Sequence, residues 1–525
     1  MISSHRAGWL LLAAASLGLT ALGWQEMSFL CDDAFIAFRY ARNVLGGWGP
    51  TWNPPPFAPV EGYTSALWVA LLSVAWLIGP PPPVAAQAMS LGAGLASTIL
   101  ALLWLRRMEV RSPRTRLMLA ASTMLAIVTN RTFLTWTSSG LETSLFNLLV
   151  LAWLFGATRP RLRGTALSTI AALLVLTRPD GLLYAGVTVA ILALRLPPSG
   201  AVRATGPLAV VGAHLLWRRA TYGLWLPNTY FAKVSEPWPE AGIRYLGAFL
   251  LEHGFWLTVP FAMVGLVAVL RPRPRDAACR IGLPTCAILA HTAYYTLRVG
   301  GDHFEYRVLS HLVIPTLLAA AWSADHVLRR RAPALLVLMA GLSWPIPWVH
   351  HVLGRDLTTR EQTEALYLPV APHLPSILSP ITTFHDDNQR WLIDRYIARR
   401  HREHVVFRAH LERTLAQPEE LARLDWQANR PIAAARSVGV VGWRFHQAAV
   451  LDELGLNDPI IAQGPLRHGD GSPRRMAHDR QPPPGYIECF RRNLTRDDAG
   501  LRVDPEVPTM TDAEIRDCQR RFRPR

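Results

Sequence analysis

Lysine is almost absent from this chain: of its 54 basic residues among 525, only Lys233 is a lysine and the others are arginine. The chain also lacks the spacing of a zinc site, the glycine-rich loop that cradles nucleotide phosphates and the glycine fingerprint of a dinucleotide-binding unit. These absences argue against zinc enzymes, nucleotide hydrolases and dinucleotide-dependent oxidoreductases. A single lysine among so many arginines is either retained by chance or kept for a chemical role.

The formal net charge is +16, with 38 acidic residues against the 54 basic ones. Much of the excess basic charge lies in short connections between apolar runs, where arginine favours the cytoplasmic side of a membrane. The pattern therefore indicates loops that face anionic lipid, and not a surface for nucleic acid. The arginine-rich connections that we expect to be cytoplasmic are 106–116, 159–163, 271–280 and 329–331.

Long apolar runs are abundant, and they are concentrated before residue 350. The runs 9–24, 84–105 and 332–349 approach the roughly 20 residues that a helix needs to cross a bilayer. The first run also fits a signal peptide, but it is long and lacks a convincing small-x-small cleavage site. The sequence predicts a polytopic α-helical membrane protein, with further spans near 117–134, 143–157, 165–177, 182–195, 206–217, 255–270, 281–297 and 308–324.

Residues 64–105 decide the predicted topology. Two full crossings there would place the basic connection 106–116 on the outer side, against its charge. We therefore expect 64–79 to lie along the outer interface or to dip into it, ended by the prolines at 80–83, and 84–105 to cross alone. About eleven transmembrane helices follow, with the N-terminus inside and the C-terminus outside.

The chain divides at about residue 350. Residues 1–350 form the membrane part, whose first extracytoplasmic loop is 25–83, and residues 351–525 contain no apolar run of spanning length. We expect this second part to be a soluble extracytoplasmic α+β domain. On that side of the membrane Cys489 and Cys518 would be free to form a disulfide.

Two elements are predicted inside the C-terminal part. An amphipathic pattern at 390–415 is typical of a helix, and the valine-rich stretch at 437–442 is typical of a strand.

On this topology the polar motifs between the spans share the outer side of the membrane. Their convergence is the main functional signal in the residues themselves. These motifs are "CDDAFIAFRYARN", "WNPPPFAPVEGYTS", "TSSGLETS", "TRPDG", "LPNTYFAK", "GGDHFEYR" and the residues after 350.

Asp32 and Asp33 begin the first of these motifs. A carboxylate that is partly desolvated beside a second one can act as a general base, and two together can hold a divalent cation through oxygen ligands. Alternatively, both are first-turn acids that the helix dipole favours. Helical spacing would place on one face Asp32, Ile36, Arg39 or Tyr40, and Asn43.

Two further motifs each have a structural and a functional interpretation. Ser139 and Glu142 have the spacing of a capping box, although a glutamate at the outer mouth would also suit sugar hydroxyls. Asp180 belongs to a Pro-Asp-Gly sequence that is typical of a turn. A turn needs no arginine, however, and Arg178 precedes this one at the outer end of a predicted span, where it could bind a lipid phosphate.

The remaining two motifs supply cations near the same mouth. Lys233 could form a charge-assisted hydrogen bond to a phosphate, with the Asn228 amide close by in the sequence. Alternatively, it is an interfacial lysine whose aliphatic side chain lies along an apolar surface. The loop "RVGGDHFEYR" is either an internally paired turn or part of a binding site. Its polar residues are Arg298, Asp302, His303, Glu305 and Arg307.

Taken together with "LDELGLNDPIIA" at 451–462, these motifs resemble the family of the terminal arabinofuranosyltransferases of the actinobacterial cell wall, which includes relatives labelled ZomB-like. That family resembles the GT-C class of polytopic membrane glycosyltransferases. The resemblance implies transfer of a sugar, such as arabinofuranose, from a polyprenyl-phosphate donor to a cell-envelope glycan. It also implies a bacterial inner-membrane location with the active site outside, and no nucleic-acid partner.

The resemblance further implies which residues act. Asp32 or Asp33 would be the catalytic base, and a divalent cation held by the two stays open. Arg178, Lys233 and Arg307 would stabilise the phosphate of the leaving group. The donor- and acceptor-binding candidates are Arg39, Tyr40, Asn43, Glu61, Tyr63, Glu142, Arg178, Asp180, Asn228, Lys233, Asp302, His303 and Arg307.

Other functions fit parts of the pattern. A protein O-mannosyltransferase or a lipid A sugar transferase would share the architecture and donor type. A transporter or flippase for lipid-linked sugars would place ionisable groups at mid-membrane in paired halves, whereas these polar motifs gather at one surface. A non-catalytic envelope or motility factor is the remaining alternative.

Overall fold

A computed structural model of the chain describes residues 4–110, 113–234, 236–270, 278–364, 367–415, 418–497 and 500–523. These residues are mainly helical. The α-helices are α1 (Ser4–Met27), α2 (Asp32–Leu45), α3 (Ala66–Ile78), α4 (Pro82–Arg107), α5 (Pro113–Val128), α6 (Arg131–Trp136), α7 (Thr143–Ala157), α8 (Gly164–Thr177), α9 (Leu182–Arg195), α10 (Pro198–Ala204), α11 (Ala209–Tyr222), α12 (Asn228–Lys233), α13 (Pro239–Glu252), α14 (Phe255–Leu270), α15 (Leu283–Ala293), α16 (Val313–Leu328), α17 (Ala332–Leu342), α18 (Pro345–Arg355), α19 (Arg360–Thr363), α20 (Ser379–Asp394), α21 (His401–Thr414), α22 (Pro418–Leu421), α23 (Gly439–Arg444), α24 (Pro459–Ala462), α25 (Tyr486–Cys489) and α26 (Asp512–Arg521).

Short 3₁₀ and π turns link several of these helices, and two small sheets lie near the C-terminus. The strands β1 (Ile432–Ala435) and β2 (Ala449–Asp452) are parallel, with Ile432 opposite Ala449. The strands β3 (Leu494–Asp497) and β4 (Gly500–Val503) are antiparallel. The turns are Pro179–Gly181, Gly206–Leu208, Ala278–Gly282, Tyr294–Val299, Arg307–Leu312, Arg329–Arg331, Ala371–His373, Ser376–Leu378 and Arg467–Asp470.

Some of the helices are long and apolar enough to cross a membrane. Within the described residues these are Arg6–Met27, Pro82–Arg107 and Arg307–Arg355, and a fourth arises if Pro239–Glu252 and Phe255–Gly265, which meet at 90°, form one bent span. Shorter apolar helices are α3, α7 and α8. The predicted number of about eleven crossings is therefore not confirmed, and the interfacial position of 64–79 stays a prediction. Residues 111–112 and 271–277 of the predicted cytoplasmic connections lie outside the described residues.

An apolar core joins the N-terminal helices to the C-terminal residues. Phe35 in α2 is buried in the same cluster as Val440 and Val450. The ring of Phe38 packs edge-on against Trp443 of α23, with centroids 6.1 Å apart. Because this cluster draws on both ends of the chain, the position of α2 depends on residues that follow it by about 400.

A buried chain of alternating charges makes a second connection between the two parts. Arg131 and Arg400 both bond to the Glu305 carboxylate, with N–O distances of 2.5 and 3.0 Å. Arg400 also lies 2.6 Å from Glu252 at the end of α13. We call these four residues the ionic chain. Removing one member of such a buried pair costs about 3–5 kcal/mol, so each charge depends on its neighbour.

The predicted single helix at 390–415 is wrong. α20 ends at Asp394 and α21 begins at His401. Between them, the backbone N–H groups of Ala398 and Arg399 donate to the carbonyls of Asp302 and His303. This pairing with a distant segment competes with helical hydrogen bonds and interrupts the helix.

The predicted strand at 437–442 is also wrong, because most of it belongs to α23. The carboxylate of Asp32 accepts hydrogen bonds from the backbone N–H groups of Gly439 and Val440, at 3.1 and 2.7 Å. Helix N-termini have free N–H groups and a partial positive charge, and a carboxylate satisfies both. A helix start thus replaces the strand that the valines suggest.

Candidate active site

A cavity of about 350 Å³ lies between α2 and the segments that connect later helices. The first helical turns of α2 supply Asp33 and Ile36 to its wall, and the C-terminal part supplies Leu456 and Met476. The structure therefore brings many of the predicted motifs together around one space. The predicted residues that line it are Asp33, Tyr63, Glu142, Arg178, Asp180, Lys233, Asp302 and Arg307.

Asp33 faces Lys233 across the cavity. Asp33 Oδ2 lies 3.6 Å from Lys233 Nζ, and the two side chains are 29% and 24% exposed. The distance is longer than a close ion pair, and both groups are accessible to a molecule in the cavity. This pair combines an acid able to accept a proton with the only lysine of the chain.

Arg178 is held more tightly than Lys233. Its guanidinium donates to the carboxylate of Asp180 at 3.1–3.2 Å and to the hydroxyl of Tyr295 at 2.6 Å. Glu142 Oε1 lies 3.5 Å away. Burial alone would raise the pKa of Asp180, but Arg178 and His291 outweigh burial and lower it below its usual range. Asp180 is therefore a fixed anion that orients Arg178.

Arg307 is the third basic side chain of the wall. Its Nε donates to Asp302 Oδ2 at 2.7 Å, and its guanidinium lies over the ring of Phe304, 4.5 Å from the centroid. Both contacts fix its planar head. Among the described lining residues, three basic side chains face four acidic ones, and Lys233 is the cation whose ion pair is longest.

Asp32 lies outside the cavity lining. It is partly buried, and its two oxygens accept hydrogen bonds from the first N–H groups of α23. Burial raises the pKa of Asp32 to about 7, and the bonds to Val440 and Gly439 oppose that rise. Adjacent residues of a helix point about 100° apart, so only one of two neighbouring acids can face a given space.

Three other candidates on α2 also point away from the cavity. The guanidinium of Arg39 donates to the backbone carbonyls of Trp52, Gly442 and Ala448. Asn43 donates to the carbonyls of Thr51 and Trp52. The Tyr40 hydroxyl donates to the Val60 carbonyl. These side chains connect α2 to the loop that follows it and to α23. The polar face that the sequence predicts for this helix therefore holds the fold together and does not bind a ligand in the cavity.

Glu61 and Asn228 support the wall from behind. Glu61 bonds to Arg218 at 2.6 Å, and burial raises its pKa to about 7 although Arg218 opposes the rise. The backbone N–H of Asn228 donates to the Glu61 carbonyl, and its side chain donates to the carbonyls of Gly455 and Leu456. Asn228 thus anchors α12, which ends at Lys233.

His303 is enclosed beside the cavity and does not line it. Its Nδ1 lies 2.9 Å from the carbonyl oxygen of Tyr396, and its ring packs against those of His404 and His478. Burial lowers the pKa of His303 well below its usual value. A neutral histidine in this position serves packing.

The structure of the site differs from the sequence prediction in several details. α7 begins after Glu142 without a capping bond from Ser139, so the capping-box interpretation is wrong. Tyr295 and the lining residues Met476 and Ala477 were not predicted. The paired tyrosines at 294–295 close a predicted span, where aromatic residues concentrate, and that signal could have identified Tyr295. No feature of the sequence near residues 476–477 identifies them as part of a site.

The structure also bears on the predicted disulfide and on the predicted metal site. Cys489 and Cys518 form a disulfide. Within the described residues there is no group of three or more histidine, cysteine, aspartate or glutamate side chains arranged to hold a metal ion. The carboxylates of Asp32 and Asp33 have different partners, the α23 N-terminus and Lys233.

The fold is that of the GT-C membrane glycosyltransferases. ArnT from Cupriavidus metallidurans bound to undecaprenyl phosphate matches with a TM-score of 0.53 and 14% identity, over 84% of this chain and 85% of ArnT. The apo form of ArnT matches with a TM-score of 0.51 and 14% identity, over 86% and 87% of the two chains. This fold and the apolar helices indicate a multi-pass membrane protein.

The sequence comparison is more specific. The terminal β-(1→2)-arabinofuranosyltransferase of Mycobacterium tuberculosis is 30% identical over 343 residues, 57% of this chain and 53% of that protein. The protein of the same name from Corynebacterium glutamicum is 26% identical over 391 residues, 66% and 55% of the two chains. The predicted resemblance to this family is confirmed, although the chain spans about half the length of these relatives. No family model matches the chain.

Proposed function

We propose that the chain is an inverting glycosyltransferase that moves a sugar from a polyprenyl-phosphate donor to a cell-envelope glycan. The observation that carries the proposal is the cavity in which Asp33 faces Lys233, with Arg178 and Arg307 in the same wall. The fold shared with ArnT, solved with undecaprenyl phosphate, supports the donor type. The two arabinofuranosyltransferase relatives favour a pentofuranose such as arabinofuranose as the sugar.

Asp33 is the catalytic base in this mechanism. It removes the proton of an acceptor hydroxyl, the oxygen attacks the anomeric carbon, and the polyprenyl phosphate leaves from the opposite face with inversion. The proton ends on the Asp33 carboxyl, and the bond between the anomeric carbon and the phosphate oxygen breaks. Asp33 suits this role because its carboxylate is accessible in the cavity, whereas that of Asp32 is bonded to α23.

Lys233 binds the phosphate of the donor. Its pair with Asp33 is long and partly exposed, so a phosphate oxygen can replace the carboxylate as its partner. The exchange leaves Asp33 free to accept a proton. Arg178 and Arg307, fixed by Asp180 and Asp302, present donors where the negative charge of the leaving phosphate grows. Donors that are fixed in advance stabilise such charge strongly.

Asp32, Arg39 and Asn228 are positioning residues in this proposal. Asp32 and Arg39 fix α2 against α23, and so set the direction of Asp33. Asn228 fixes α12 and so fixes the backbone position from which the Lys233 side chain extends. Tyr63 and Glu142 remain the candidates for sugar hydroxyls, because both line the cavity.

The location of the site completes the proposal. We place the chain in a bacterial inner membrane, with the cavity and residues 351–525 on the extracytoplasmic side, as the arginine-rich connections predict. A lipid-linked donor would enter the cavity from the bilayer, and a glycan acceptor would come from the envelope.

The test is a transfer assay with the purified chain in lipid nanodiscs. Labelled polyprenyl-phosphate arabinofuranose and other polyprenyl-phosphate sugars are supplied with an arabinan oligosaccharide or other envelope glycans, and products are identified by mass spectrometry. We expect transfer by the native chain and by Asp356→Asn, which changes an exposed aspartate. Asp33→Asn should lose at least about 100-fold in rate. Full activity of a folded Asp33→Asn would remove the base, and no transfer from any donor would remove the proposed function.

A further inference from the structure

The first turns of α20 have the reverse of the pattern expected for a helix in a water-soluble domain. Between 379 and 389 its buried side chains are polar, while large apolar side chains on the same stretch are exposed. Helices surrounded by water place apolar residues inside and polar residues outside. The buried polar residues are Thr382, His385, Asp386, Asn388 and Gln389.

The exposed side chains form one stripe. Ile377 is 85% exposed, Ile381 40% and Phe384 63%. The spacing of three residues places Ile381 and Phe384 on the same side of α20, and Ile377 lies in the 3₁₀ turn immediately before this helix. We call these three residues the apolar stripe. Farther along the helix the exposed positions are polar, with Asp387 and Arg390.

Hydrogen bonds of the buried face fix the orientation of this helix. His385 Nε2 lies 2.9 Å from Glu252 Oε1, in the ionic chain. The side-chain amide of Asn388 donates to the carbonyl of Arg244 at 3.0 Å, and that of Gln389 donates to the Tyr306 hydroxyl. Rotation of α20 to bury the apolar stripe would break all three bonds. The exposure of the stripe is therefore built into the packing.

α20, which carries the apolar stripe, packs through its buried face against α13 of the membrane part. His385 contacts Glu252, the last residue of α13, and α14 begins at Phe255. These two helices form the bent candidate span, and Trp256 and Val264 of α14 are exposed apolar side chains. The apolar stripe therefore belongs to a helix that packs directly on one half of this candidate span.

We propose that the apolar stripe inserts into the bilayer interface on the side of the C-terminal residues. The occupant of this face is the lipid bilayer, because α20 packs on one half of a candidate span and because charged side chains follow the apolar ones at its exposed positions. Exposed apolar side chains together with charged ones are typical of a helix that lies at a membrane interface. The C-terminal part then contacts the membrane through its own helix as well as through the spans before it. This inference requires the membrane location but no catalytic activity.

A fluorescent label at the stripe tests the proposal. Ile377→Cys is made in a chain whose free Cys279 and Cys286 are serine, while Cys31 is buried and the disulfide is kept. The label is an environment-sensitive dye, and the protein is held in nanodiscs with nitroxide-bearing lipid. Arg516→Cys, at an exposed position of α26, is the matched control, and Phe384→Cys is a second site in the stripe.

The dye at residue 377 should emit at shorter wavelength than the dye at 516, and lipid nitroxide should quench it at least about five-fold more. The same result at 384 supports the proposal if the 377 variant is poorly folded. Equal quenching at 377, 384 and 516 would overturn it. Short-wavelength emission without lipid quenching would also overturn it, because a second protein copy would then cover the stripe.

Discussion

The carboxylate of Asp32 lies 2.7 Å from the backbone nitrogen of Val440, so an acid in the second helix of the chain binds the start of a helix 408 residues later. Its neighbour Asp33 instead faces Lys233. The two adjacent acids therefore have different partners and, in our proposal, different tasks. One fixes the position of α2, and the other performs the chemistry.

Gly439→Ala should strongly destabilise the protein. A Cβ at this position would lie 1.8 Å from the backbone oxygen of Asp32, and rigid backbone atoms cannot give way at that distance. We expect a loss of several kcal/mol in the free energy of unfolding, at the upper end of single substitutions. Gly469→Ala is the control, since nothing lies within 4 Å of its Cβ position. Melting curves in detergent compare the two, and equal melting temperatures would contradict the described contact.

Asp32 should make stability depend on pH. An unfolded aspartate loses its proton near pH 3.8, whereas burial keeps Asp32 protonated in the folded chain up to about pH 7. The folded state therefore binds more protons between these values, and the free energy of unfolding falls as the pH rises through this window. Asp32→Asn cannot ionise and lacks this contribution.

Melting temperatures of the native chain and Asp32→Asn between pH 4 and 8 test this expectation. The stability of the native chain relative to the variant should fall from pH 4 to about pH 7 and then level off. A difference that stays constant over the whole range would show that Asp32 titrates in the same way in both states.

Lys233→Met should impair catalysis with little effect on folding. Loss of a fixed positive charge at the leaving phosphate should lower kcat/KM by about 100- to 1,000-fold. The Asp33–Lys233 pair is partly exposed, so its contribution to stability is at most about 1 kcal/mol. Lys233→Arg should recover part of the rate, and Arg516→Met, at an exposed helix position, should change nothing. Unaltered kinetics with the polyprenyl-phosphate donor in Lys233→Met would contradict a phosphate contact.

The disulfide should stabilise the last 40 residues. It closes a loop across a sequence separation of 29, for which the chain-entropy model gives about 3.6 kcal/mol. We expect Cys489→Ser with Cys518→Ser to lower the melting temperature and to expose the segment around α26 to protease. Cys286→Ser, which removes an exposed free thiol, is the control. Identical proteolysis of both variants would show that the crosslink is not needed to order this segment.

Features that depend on local pattern were predictable from the sequence. The apolar run at 84–105 corresponds to α4, and the predicted spans at 143–157 and 182–195 coincide with α7 and α9. Hydropathy and helical period act within a segment, so no distant residue is needed to recognise these helices. The motifs that gather around the cavity were recognised because they all lie between such segments.

Features that depend on distant partners were not predictable. Asp33 and not Asp32 lines the cavity because α23 binds the Asp32 carboxylate, and the valines at 438–441 begin a helix because Asp32 supplies its N-terminal acceptor. Arg39 has the residue type of a ligand-binding group, but carbonyls from residues 442–448 take its hydrogen bonds. A single sequence shows the residue types in both cases, and it does not show which segments meet.

The ionic chain limits how the protein can be divided or recombined. Arg400 follows the boundary that the sequence predicts near residue 350, while its acidic partners Glu252 and Glu305 precede it. A C-terminal fragment expressed by itself would expose Arg400 without its acidic partners, and the remaining part would keep Glu252 without its arginine, while Glu305 would keep only Arg131. Exchange of C-terminal regions between relatives would succeed only if both ends of each charge pair were transplanted together. The two parts that the sequence predicts therefore depend on each other for the neutralisation of buried charge.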